Sequence, residues 1–367
     1  MRKFLKTNSF VITVFVIWRL AMFLLGLPGF SILTFKASFP KIDEMLIASG
    51  FPQWLWQWGN FDGVHYLDIA QNGYHGSGLQ VFFPVFPLLI KLGSFLTGNY
   101  FLSGLVISNL AILLAGITLF QLVSRDFDNK TARWAVIFLF AFPTSFFFGS
   151  VYTESLFLLF LLLTFLKTGW LSGLFSFLAG GTRLVGAFLT PVLVAFRPRN
   201  WWGILAGGGI GLYISYLTLT FGNPFYFLTG QGAFKNARAN SLESLVLPPQ
   251  VLYRYIKILT TASPAHYDYW IAALELAAFI FGLIIVLYLT LRKKMPAPYL
   301  IFSFLALLLP SFSGTLSSMP RYLLSIFPIF IGLAIIKNNS VKVGIVTLFT
   351  LLLAALTILF TRGYWVS

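Results

Sequence analysis

Cysteine is absent from all 367 residues, which excludes structural disulfides, thiolate metal sites and a cysteine nucleophile. Charge is scarce: only 10% of the chain is Asp, Glu, Lys or Arg, and only 10 residues are acidic. The three histidines, His65, His75 and His266, have no metal-ligand spacing, and there is no P-loop, GxGxxG turn or Ser/His/Asp arrangement. No metal, cofactor or nucleotide site is therefore assigned.

What the chain has instead is apolar length. It is 58% hydrophobic, and stretches such as Phe101–Val123, Trp201–Phe221, Trp270–Leu291 and Val341–Phe360 reach the roughly 20 apolar residues that cross a bilayer. This composition predicts an all-α polytopic membrane protein, read as one integral domain over 1–367. Helices that span or half-span are expected near 9–30, 101–124, 133–149, 152–168, 170–182, 184–197, 201–221, 269–291, 298–312, 321–337 and 341–360, about 11 in all. The N-terminal MRKFLK and the apolar run after it resemble a signal peptide. Arg19 interrupts that run and no small-residue cleavage site follows, so it is read as a retained first helix.

The net charge of +15 raises the question of nucleic acid, but the Lys and Arg fall in short clusters between apolar runs. With the N-terminus cytoplasmic, Arg125/Lys130/Arg133, Lys167, Arg197/Arg199, Arg292/Lys293/Lys294 and Lys337/Lys342 all lie inside, as the positive-inside rule requires. The partners expected are membrane lipids, not nucleic acid. A spanning Val81–Leu96 would invert every later loop, and two prolines and Lys91 argue against it. An amphipathic helix on the outer interface fits better. Loops 31–100, 222–268 and 313–320 then face the non-cytoplasmic side.

Those loops hold the polar motifs. WGNFDGVHYLDIAQNGY, from Trp58 to Tyr74, places Asp62, His65 and Asp68 within seven residues, with Tyr66 one turn from Asp62. A carboxylate there could deprotonate a hydroxyl; an interfacial aromatic belt with a few solvated groups is the plainer reading. In FPTSFFFGSVYTESLFLL, from Phe142 to Leu159, Glu154 follows Tyr152 and Thr153. It could orient an acceptor hydroxyl or simply cap a helix N-terminus. AGGTRLVG puts Arg183 at an outward turn, and SSMPRYLL puts Arg321 at the outer start of a helix. Guanidinium forks match phosphate oxygens, so both could hold a lipid phosphate; snorkelling to headgroups is the alternative. GNPFYFLTGQGAFKNAR adds Gln231, Lys235 and Arg238 on the same side. Arg19 and Glu275 lie inside apolar helices, either paired or lining a cavity.

In this order FDGVHYLDIAQNGY, FFPVFP, FPTSFFFGSVYTESLF, GGTRLVG, GNPFYFLTGQGAF and PRYLLSIFP resemble the PIG-V family of mannosyltransferases across most of the chain, the first and third motifs being the most specific. The short chain resembles the prokaryotic branch. The resemblance implies a GT-C membrane fold with juxtamembrane helices on the outer face. It also implies a polyprenyl- or dolichyl-phosphate mannose donor and inverting transfer to a glycan or glycolipid hydroxyl. Asp62 matches the family's acidic position and would be the catalytic base; Phe61 and Phe234 stand where many members have Trp. His65, Tyr66, Tyr152, Glu154 and Gln231 are the candidate substrate-binding residues, with Arg183 and Arg321 on the donor phosphate. The expected location is the plasma membrane if prokaryotic, or the ER membrane if eukaryotic. The alternative is a transporter or flippase of a lipid-linked anionic glycan, although the halves show no internal repeat.

Overall fold

The computed structural model describes residues 2–27, 33–76, 78–196, 201–233 and 246–366, and the described residues form helices joined by turns and irregular segments, without strands. The helices of seven or more residues, in chain order, are α1 (Arg2–Gly26), α2 (Asp62–Asn72), α3 (Val85–Thr97), α4 (Tyr100–Asp126) and α5 (Asn129–Ala141). They continue as α6 (Glu154–Leu166), α7 (Gly169–Thr182), α8 (Leu189–Phe196), α9 (Leu205–Phe221) and α10 (Pro248–Thr261). The last four are α11 (Tyr267–Leu291), α12 (Ala297–Phe312), α13 (Pro328–Ala334) and α14 (Asn339–Thr361).

Among the described residues, the segments Asn8–Gly26, Tyr100–Asp126, Trp201–Phe221, Tyr267–Leu291 and Asn339–Thr361 are the five long and apolar enough to cross a bilayer. The protein is an integral membrane protein. The other apolar segments of the expected eleven form shorter helices, and two of them break. The expected 133–149 helix ends at Ala141, because Pro143 disfavours α geometry at Phe142. The expected 321–337 helix is interrupted between Tyr322 and Pro328 for the same reason at Phe327. Apolar composition reads straight through such prolines. Helix α3, at 13 residues, is about 20 Å long and too short to span; Leu88, Leu92, Phe95 and Leu96 stand exposed along it.

The chain divides into two compact units. One comprises 1–73, 84–175 and 330–366; the other comprises 74–83 and 176–329. In the first, α4 packs against α3, α5 and α6, and α1 packs against α4, α5 and α14. Phe101, Phe138, Phe157 and Phe165 are fully buried there. The break between α5 and α6 keeps its backbone satisfied: Ser145 N–H donates to Phe142 O (2.9 Å), Phe147 N–H to Thr144 O (3.1 Å) and Ser150 N–H to Phe147 O (3.2 Å). Irregular backbone survives at membrane depth only under such cover.

In the second unit Tyr213 and Leu217 of α9 pack with Phe83, and Tyr74, Phe221 and Phe227 close around them. The Tyr213 hydroxyl donates to Gln80 O at 2.7 Å, which ties the 74–83 loop to this unit. Helices α7 and α9 approach almost backbone to backbone: a Cβ on Gly180 would come within 2.4 Å of Ala206 O. That is the use of small residues in membrane helix packing.

The clusters expected inside and the motifs expected outside can be tested directly for sidedness. The chain has no cysteine, so Gln71→Cys and Asn129→Cys each introduce a single thiol. An impermeant reagent is expected to label them from opposite faces of the membrane; labelling from one face would contradict the charge-based topology.

Candidate functional site

The first unit gathers the polar residues of the two most specific motifs. Asp62 is the first residue of α2 and is half-buried, and the residue before it, Phe61, has φ 57°. A bulky residue with positive φ is strained, at about 1–3 kcal/mol, so packing must hold it. Phe61 lies against Phe39 (4.7 Å between ring centroids), Trp365 (5.4 Å) and Phe360 (5.9 Å).

The second motif supplies the other constraint. Val151 N–H donates to Trp58 O at 2.9 Å. The Tyr152 hydroxyl donates to Asn60 O at 2.9 Å and accepts from Asp62 N–H at 3.2 Å. One phenol thus fixes the first turn of the helix that carries Asp62. Tyr66 and Thr153 meet hydroxyl to hydroxyl at 3.4 Å. Glu154, 4% exposed, opens α6, where negative charge suits the helix dipole. The two motifs, far apart in sequence, thus meet through Tyr152 and through the Tyr66–Thr153 contact.

Asp68 has a different setting. Buried to 1% exposure, it pairs with Lys41 and accepts from Asn72 Nδ2 at 2.8 Å. It therefore anchors the preceding loop. Burial pushes the His65 imidazole below its ordinary value of 6.5; Asp62 and Asp68 oppose this and Lys41 adds to it. Arg19 is buried in α1 with its guanidinium over Phe23 (4.2 Å) and Trp58 (4.7 Å), so it braces the motif through Trp58.

The second unit brings the two arginines together, which no spacing in the sequence reveals. Arg183 lies 5.3 Å and Arg321 5.8 Å from the centroid of the same ring, Tyr322. The GGTRLVG turn is built by close approach: Arg183 N–H donates to Ala179 O at 3.1 Å, and a Cβ at Gly186 would come within 2.4 Å of that same carbonyl. Gln231 sits in the one-turn segment Gly230–Ala233, beside Leu79–Val81. Phe234, Lys235 and Arg238 lie outside the described residues. Among the described residues, no group of three or more His, Asp or Glu side chains is arranged to hold a metal ion.

With this geometry in hand, comparison with known proteins is informative. Residues 10–169 match the family described as mannosyltransferase (PIG-V). The matched region contains Asp62, His65, Tyr66, Tyr152 and Glu154. A curated relative, GPI mannosyltransferase 2 of Drosophila melanogaster, is 24% identical over 217 residues, covering 55% of this chain and 42% of its own. The chain thus spans less than half the length of that relative. Two crystal structures of the Archaeoglobus fulgidus oligosaccharyltransferase are also similar, each with a TM-score of 0.46. The apo form is 13% identical, covering 97% of this chain and 56% of that one. The form tethered to an acceptor peptide is 15% identical, covering 99% and 56%.

Tyr152→Phe removes the acceptor for Asp62 N–H and one donor to Asn60 O. Leaving buried backbone groups unsatisfied costs about 1–3 kcal/mol, so the purified variant is expected to unfold at a measurably lower temperature in detergent. An unchanged Tm would contradict the structural role of this phenol.

Proposed function

We propose that the protein is a GT-C-type membrane mannosyltransferase. It moves mannose, with inversion, from polyprenyl- or dolichyl-phosphate mannose to a glycan or glycolipid hydroxyl on the non-cytoplasmic face. The observation that carries the reading is the Tyr152 bridge, which joins the two most specific PIG-V motifs and holds Asp62 at a strained helix start.

In this mechanism the Asp62 carboxylate takes the proton of the acceptor hydroxyl as its oxygen attacks the anomeric carbon. The bond from that carbon to the phosphate oxygen breaks, and the electron pair leaves on the lipid phosphate. Arg183 and Arg321 receive that charge. Two guanidinium groups around one ring repel each other, and a shared phosphate offsets the repulsion by fixed electrostatics. Glu154, Tyr66, His65 and Gln231 orient the sugars.

The test is a variant series in a transfer assay with labelled polyprenyl-phosphate mannose. Loss of a general base costs on the order of 100- to 10,000-fold, so Asp62→Asn is expected to lose transfer by that factor while still binding donor. Arg183→Ala and Arg321→Ala each remove charge-assisted bonds worth about 1.5–3 kcal/mol and are expected to weaken donor use more than the Lys variants do. Near-normal turnover of Asp62→Asn beside a dead Glu154→Gln would transfer the base to Glu154. If none of these variants loses transfer, the mechanism is wrong.

A further inference from the structure

Glu275 lies in the N-terminal half of α11, 5% exposed. A carboxylate inside a membrane helix is costly enough to require a purpose, and the mechanism above does not use it. One of its oxygens accepts from the Tyr255 hydroxyl of α10 at 2.6 Å, and the other accepts from Ser318 N–H at 3.2 Å. The Tyr255 oxygen in turn accepts from Leu316 N–H at 3.0 Å and meets the Thr315 hydroxyl at 3.0 Å. Burial, and then the charge of Glu275, raise the Tyr255 phenol above its ordinary range, so it keeps the proton that it donates.

All these contacts converge on the turn that precedes Arg321. Arg254, the neighbour of Tyr255 on α10, donates from Nη1 to Gly314 O at 3.2 Å, and Val246 N–H donates to Phe312 O at 3.1 Å. Ser318 has φ 68°, a left-handed conformation unfavourable for a residue with a Cβ; the bond from its N–H to Glu275 helps to hold it. Its carbonyl then accepts from Arg321 N–H and Tyr322 N–H, each at 3.0 Å. Glu275 is thus two rigid links from the backbone that carries Arg321 and from the ring shared with Arg183.

We propose that Glu275 and Tyr255 are positioning residues that set the 315–318 turn, and through it the Arg321 guanidinium, for the donor phosphate. This rests on the phosphate role assigned to Arg321. Helix α10 presents Tyr253 and Ile256 at its surface, both exposed, while Tyr255 faces inward at 6% exposure. The clamp therefore joins an amphipathic surface helix, a membrane helix and the arginine turn.

The experiment has two arms in the full-length protein. In the kinetic arm, Tyr255→Phe and Glu275→Ala are expected to raise the donor KM roughly three- to tenfold with a smaller change in kcat, the size of one or two lost hydrogen bonds. Glu275→Gln can still accept from Ser318 N–H and hydrogen-bond Tyr255, so it should recover most of that loss. In an Arg321→Ala background, Tyr255→Phe should add no further increase, since a residue acting through another loses its effect when that other is gone.

In the second arm, Ser317→Cys supplies the sole thiol of a chain without cysteine, and its modification rate reports the turn directly. Tyr255→Phe is expected to raise that rate several-fold. An unchanged rate would overturn the clamp. A raised rate with donor KM unchanged, while Arg321→Ala raises donor KM, would overturn positioning. An additive double variant would overturn it equally. If Arg321→Ala itself leaves donor KM unchanged, the phosphate reading fails and takes the catalytic half of this proposal with it, while the thiol rates still decide the clamp.

Discussion

The phenol of Tyr152 ties together stretches of chain that lie 90 and 92 residues apart, and most of what is chemically notable in the first unit depends on that tie. Without it the Asp62 N–H and the Asn60 carbonyl lose a partner in a setting where unsatisfied backbone groups are expensive. With it, Phe61 can be held at positive φ, α2 starts at Asp62, and the Tyr66–Thr153 contact falls one turn further on. The break between α5 and α6 supplies this phenol from a backbone that is irregular yet internally bonded. A continuous helix through 133–149 would put Tyr152 elsewhere.

The second unit solves a related problem with charge. Arg183 and Arg321 come from a glycine-dependent turn and from a one-turn helix, and Tyr322 serves both as an aromatic face. Neither arginine stands on a long helix, so each depends on how its turn is held. For Arg183 that support is backbone packing through Gly186 and the Ala179 carbonyl. For Arg321 it is a polar network reaching α10 and α11 through Tyr255 and Glu275. Both arrangements preorganise cationic groups at positions fixed by buried structure, which makes electrostatic stabilisation effective.

Much of this was legible in the sequence. Apolar length indicated the membrane helices, and two short polar motifs marked the stretches that meet at Tyr152. The pairing of Asp68 with Lys41, 27 residues earlier, carries no periodic signal. Other features were hidden for physical reasons. Apolar composition does not register the breaks at Pro143 and Pro328, because the residues on either side stay apolar. Glu275 was read as paired or lining a cavity; its partners include a phenol and a backbone N–H, which no charge pattern announces. Tyr322, the ring common to both arginines, is one aromatic among many in this chain.

The account stands or falls on covalent transfer from a lipid-phosphate carrier. The most direct measurement incubates the purified protein with labelled polyprenyl-phosphate mannose and a panel of glycolipid and glycan acceptors, with nucleotide-linked mannose in a parallel reaction. The account predicts that label moves from the lipid carrier to an acceptor, that the product has the inverted anomeric configuration, and that the nucleotide-linked sugar is not used. Label that stays on its carrier with every acceptor but crosses the bilayer in reconstituted vesicles would contradict it, and would mark the protein as a transporter.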